Sequence, residues 1–109
     1  MIPKDITSKK ELEKALEGND SAFVLFYASW CPFSKRFLPI YEKHSSGSKN
    51  KCLRVMIDDL EDVCEKYSIS VYPTVLFFKK GKVAKRLDGI SGEGLNEKKL
   101  TDLMDSCGG

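Results

Sequence analysis

The seven residues Ala22-Phe23-Val24-Leu25-Phe26-Tyr27-Ala28 constrain the fold of this chain more than any others, because no polar position interrupts them. A β-prone run of this kind is buried on both faces, as in a sheet covered by helices rather than one with a wet side. The flanking sequence supplies such helices. Ser8-Lys9-Lys10-Glu11 reads as a capping box followed by Leu12, Ala15 and Leu16 at helical spacing, with Gly18 as the stop. A second helix is expected from near Phe33 to about His44, kinked by Pro39 and broken by Ser45-Ser46-Gly47-Ser48.

Further along, Cys52 to Ile57 reads as a strand, Glu61 to Tyr67 as a short helix and Thr74 to Phe78 as another strand. Lys80-Gly81 turns that strand into Val83-Ala84-Lys85-Arg86-Leu87, whose mixed character suits a sheet edge. Leu95, Leu100, Leu103 and Met104 give a last helix its apolar face. Strands separated by helices imply a parallel portion, and the C-terminal hairpin adds an antiparallel one. The expectation is an α/β mixed sheet flanked by helices, in one domain over residues 1–109.

The charge balance, 18 basic against 16 acidic side chains for a net +2, gives no basic stripe of the kind nucleic acid requires. No apolar run approaches the roughly 20 residues of a membrane span. Met1-Ile2-Pro3-Lys4-Asp5 lacks the apolar core of a signal peptide. Cysteines stand at 31, 52, 64 and 107, without C-x-x-C spacing and with a single histidine, so no metal site is expected. Scattered cysteines suit a reducing compartment. A cytoplasmic monomer is therefore the expectation, or a protein of an oxidising secretory compartment if a leader was removed. His44 reads as a helix-end residue, and the acidic cluster Asp58-Asp59-Leu60-Glu61-Asp62 as a capping feature of the third helix.

Chemistry concentrates in Trp30-Cys31-Pro32-Phe33-Ser34, between the buried strand and the helix after it. Cys31 falls at or just before a helix N-terminus, where free N–H groups and the helix dipole favour an anion. A thiol there is disposed to ionise, and Lys35 and Arg36 act in the same sense. Cys52, Cys64 and Cys107 read as structural, with Cys64 the exception to watch because it lies on a short helix. Pro73, directly before a strand, has no N–H to donate and fixes the chain direction.

These residues resemble the thioredoxin family, including the thioredoxin-like domains of the disulfide isomerases, over nearly the whole chain. Phe26-Tyr27-Ala28-Ser29-Trp30-Cys31 is similar to the family's active-site entry, and Pro39 falls where its active-site helix kinks. Val71-Tyr72-Pro73-Thr74 is similar to the loop whose proline is cis, and Phe77-Phe78-Lys79-Lys80-Gly81-Lys82 to the hairpin after it. Gly89 is similar to the glycine that follows. The resemblance implies that an extended client peptide pairs with the Tyr72 backbone beside Cys31, a form of strand addition. Trp30, Pro32, Phe33, Tyr72, Pro73 and Thr74 then form the client-binding surface.

Two departures modify that expectation. The family's C-x-x-C motif here ends in Ser34, and a hydroxyl cannot close the second disulfide that normally releases a client. Ser34 is expected instead to donate a hydrogen bond to the Cys31 thiolate. Leu25 stands where the family carries a buried acid that assists resolution. The resulting expectation is thiol–disulfide exchange through Cys31 alone, forming mixed disulfides with protein or peptide clients. An external thiol such as glutathione, or a thioredoxin-reductase-type reductant, resolves them, and no bound cofactor is required. The alternatives are a client-retention module with little turnover, or a Cys→Ser trap form of an ordinary dithiol thioredoxin. Glutaredoxins also use C-P-F-S-like motifs, but they carry Val before the cis proline, where this chain has Tyr72.

Overall fold

The computed structural model describes residues 5–58 and 60–107. The elements run β1 (Asp5–Ile6), α1 (Lys9–Glu17), β2 (Ser21–Tyr27), α2 (Pro32–Ser45), β3 (Lys51–Met56), α3 (Glu61–Tyr67), β4 (Thr74–Lys79), β5 (Lys82–Leu87) and α4 (Glu97–Ser106). They form one five-stranded sheet in the order β1-β3-β2-β4-β5. The pairs β1–β3 and β2–β3 are parallel, whereas β2–β4 and β4–β5 are antiparallel. The mixed sheet flanked by helices is therefore the observed architecture. No helix among the described residues is long and apolar enough to cross a membrane.

β2 lies at the centre of the sheet, and every residue from Ala22 to Ala28 is buried, as its uninterrupted apolar run requires. Its alternate side chains feed two cores. Ala22, Val24 and Phe26 face one that includes Leu12, Leu16, Val55, Val63 and Leu76. Phe23, Leu25 and Tyr27 face the other, with Phe37, Tyr41, Phe77, Leu100 and Met104. This two-sided burial is the period-2 geometry of a strand read off on both faces.

Local signals account for most of the element ends. The Ser8 hydroxyl accepts from Glu11 N–H at 3.1 Å, and the Glu11 carboxylate accepts from Thr7 N–H at 3.1 Å, so the reciprocal bond of the capping box comes from one residue further out. The β4–β5 hairpin turns through Lys80 and Gly81 at φ 52° and 79°, a pair of left-handed residues whose twist matches that of the strands. Pro39 is accommodated within α2.

The sequence reading missed β1, which is two residues long and carries no periodic signal. Leu95 was expected on the face of the last helix, but it precedes the Asn96 cap and is buried with Leu100. This is the staple arrangement, in which the residue before the cap packs on the fourth helical residue. Met1 to Lys4 and Asp59, for which the sequence also raised expectations, lie outside the described residues.

Candidate functional site

The candidate active-site segment is the turn from β2 into α2. Cys31 is the N-cap of α2 in extended conformation (φ −87°, ψ 120°), and Pro32 opens the helix where its missing N–H costs nothing. The Cys31 carbonyl accepts from Lys35 N–H at 3.0 Å, which seats the thiol at the positive end of a helix of 14 residues. The thiol itself is recessed: Cys31 is only 6% exposed and packs in the core with Ile57, Val63 and Ile69. Any reagent that reaches this sulfur must pass between neighbouring side chains.

Those neighbours include the expected rim. Trp30 is 65% exposed, and its ring meets Tyr72 edge-on with centroids 6.0 Å apart. Phe33 is half-buried beneath the Arg36 guanidinium, 5.5 Å from its ring centroid. Beyond Phe33 an open groove of about 620 Å³ continues along Arg36, Ile40, Ile90, Leu95 and Lys99. The Tyr72–Pro73 peptide is cis. Phe23, Phe26, Phe77 and Phe78, by contrast, are buried core aromatics.

Two of the expected site residues stand elsewhere than the sequence suggested. Ser34 is fully buried, and the hydrogen bond it makes is accepted from Ala28 N–H at 3.2 Å rather than donated to Cys31. The hydroxyl thus clamps the end of β2 to the first turn of α2. Thr74 is also fully buried and lies behind the rim rather than on it. Its hydroxyl donates to the Val71 carbonyl at 2.8 Å and accepts from Gly89 N–H at 3.3 Å, tying together both sides of the Pro73 loop.

Other residues contribute in ways the sequence alone did not indicate. Asp58 accepts from Ser29 N–H at 3.0 Å and from the Ser29 hydroxyl, anchoring the residue before Trp30. Those bonds hold the Asp58 carboxyl below its usual range. Its work is therefore on the active-site turn; α3 has Leu60 at its N-cap with no side-chain cap. Gly89 packs so closely on Pro73 that a Cβ there would collide with the Pro73 carbonyl oxygen. Gly94, at φ 76°, would place a Cβ 2.8 Å from that of Phe33.

Cys64, on α3, packs with Tyr72 and Phe33 against the same core cluster that holds Cys31. Burial pushes the Cys64 thiol up; a hydrogen bond with Tyr72 opposes this, and the negative Asp62 and Glu61 add to it. Tyr72 is pushed up in turn, by burial first and then by Cys64 and Cys31. The approach of Tyr72 to Cys31 joins positions far apart in the chain, so periodicity gave no signal for it. His44 likewise finds a partner in Glu97 of α4, 2.8 Å away, which no local spacing announced.

Comparison with known proteins agrees with this geometry. Residues 4–105 match the thioredoxin family. The chain is 40% identical over 81 residues to a thioredoxin-like protein of Fusarium culmorum, covering 71% of this chain and 67% of that one. It is 38% identical over 96 residues to thioredoxin of Mycoplasmoides gallisepticum, covering 86% of this chain and 96% of that one. Among solved structures, a thioredoxin from Plasmodium falciparum superposes with a TM-score of 0.85 at 31% identity, over 94% of this chain and 97% of that one.

Proposed function

The chain belongs to the thioredoxin family, and from that premise we propose that it carries out thiol–disulfide exchange with Cys31 as the single thiol that attacks the client. The observation that carries this reading is the pairing of a thiol at the N-cap of α2 with a buried hydroxyl, Ser34, in place of a second thiol. The Cys31 thiolate attacks a client disulfide, one client sulfur leaves, and the other stays bound to Cys31 as a mixed disulfide. Trp30, Phe33, Tyr72 and Pro73 hold the client around the recessed sulfur. Pro32 shapes the turn, and Thr74 supports the loop from behind.

Ser34 cannot complete the exchange, and Leu25, fully buried, offers no carboxyl to move a proton during it. Return of Cys31 to the free thiol therefore requires an external thiol, of which glutathione is the simplest. The partners are protein or peptide disulfides, with glutathione or a thioredoxin-reductase-type reductant as the source of electrons.

Turnover tests this reading. With excess glutathione and a disulfide-bonded model peptide, many equivalents of peptide should be converted per protein molecule. A reaction that stops after one equivalent despite excess glutathione would contradict it and favour a retention role.

A further inference from the structure

We propose that Cys64 is the second thiol of this site: it displaces the client from Cys31 and leaves a Cys31–Cys64 disulfide. The proposal rests on Cys31 being the attacking thiol and names the group that acts on its mixed disulfide before any external thiol arrives. The four cysteines divide between the two faces of the sheet. Cys52 is buried in the core with Tyr41 and Phe77, and Cys107 packs on that same core. Cys31 lies in the opposite core, and Cys64 is the cysteine that packs against it.

Tyr72 links the two thiols. Its ring stands against Trp30 at the rim, and it interacts with both Cys64 and Cys31. Cys64 is also partly exposed, on a helix of only seven residues that ends at the left-handed Ser68. Ser34, where a C-x-x-C motif would carry the second thiol, offers only a buried hydroxyl that accepts from Ala28 N–H.

The step is an ordinary exchange. The Cys64 thiolate attacks the Cys31 sulfur of the mixed disulfide, the Cys31–client bond breaks, and the electron pair leaves on the client sulfur. The client thiolate takes up a proton, equivalent to the one Cys64 gave to solvent. In this step one client sulfur is reduced as the Cys64 sulfur is oxidised; over both steps the client disulfide becomes two thiols and the two protein thiols become one disulfide. Two equivalents of an external thiol such as glutathione then restore both cysteines.

The test loads the protein with a disulfide-bonded model peptide, removes the excess and follows intact mass without added thiol. In the unsubstituted protein the peptide should leave as a free thiol. The remaining protein should be lighter than the reduced form by two hydrogen atoms, and a non-reducing digest should join the Cys31 and Cys64 peptides. In Cys64→Ser and Cys64→Ala the adduct should persist about tenfold longer or more, since an intramolecular attacker has been removed. Equal persistence in all three proteins, or a bridge from Cys31 to Cys52 or Cys107, would overturn the proposal while leaving Cys31 as the nucleophile. Failure of any adduct to form at Cys31 would overturn that reading as well.

Discussion

At position 34 the hydroxyl oxygen accepts a backbone hydrogen bond in a place with no access to water, so its contribution is structural as well as chemical. Ser34→Ala leaves the Ala28 N–H buried without a partner and should destabilise the fold by about 1–3 kcal/mol, measured by urea denaturation. Ser34→Cys should restore a dithiol motif and raise the rate at which the protein reduces a disulfide without glutathione. Cys64 offers a pH signature. Because burial and the neighbouring Asp62 and Glu61 push its thiol up, its thiolate is scarce at neutral pH and increases as pH rises. Its alkylation rate should therefore reach half-maximum at a higher pH in the folded protein than in the urea-unfolded chain; an equal or lower midpoint would contradict this. At this scale the sequence revealed which thiol stands at a helix start, because the apolar strand and Pro32 mark the turn. It did not reveal how deep that thiol sits or that Ser34 turns towards Ala28, since both follow from how α2 packs on β2.

Among the elements, the Pro73 loop depends on a contact across the sheet. Gly89 follows β5 and lies against the carbonyl of Pro73, which precedes β4. Gly89→Ala forces one backbone segment to move, at a cost of about 1–3 kcal/mol for overpacking. Because the displaced segment is the loop proposed to bind the client, the substitution should also slow adduct formation at Cys31, read by intact mass, more than the loss of stability alone explains. An unchanged adduct rate would show that the contact does not position the loop. Helices were legible in the sequence because apolar residues repeat along them, and the long strands because β-prone runs end at turn residues: Glu61–Tyr67 coincides with the expected third helix, and the ends of the four longer strands fall within a residue of expectation. The short β1 was not, because two residues carry no period and their strand exists only through pairing with Arg54 and Val55.

For the molecule as a whole, acidic pH should loosen the links between elements. Asp58 ties the active-site turn to the end of β3, and Glu97 ties α4 to Lys43 and His44 of α2. Both carboxyls are lowered by these bonds. A group lowered in the folded state stabilises above its unfolded pKa and loses that contribution as pH falls through its folded one. The urea midpoint should therefore decline as pH falls below the ordinary carboxylate range, and Asp58→Asn or Glu97→Gln should lessen that decline.

The central claim is that one thiol admits the client. It is tested most directly by treating the protein and its Cys31→Ser variant with the same peptide disulfide and mapping every adduct by mass. The account predicts an adduct at Cys31 in the first protein and none formed at a comparable rate in the second, with folded circular dichroism spectra for both. Adducts that accumulate equally in Cys31→Ser, at Cys64 or any other cysteine, would contradict it.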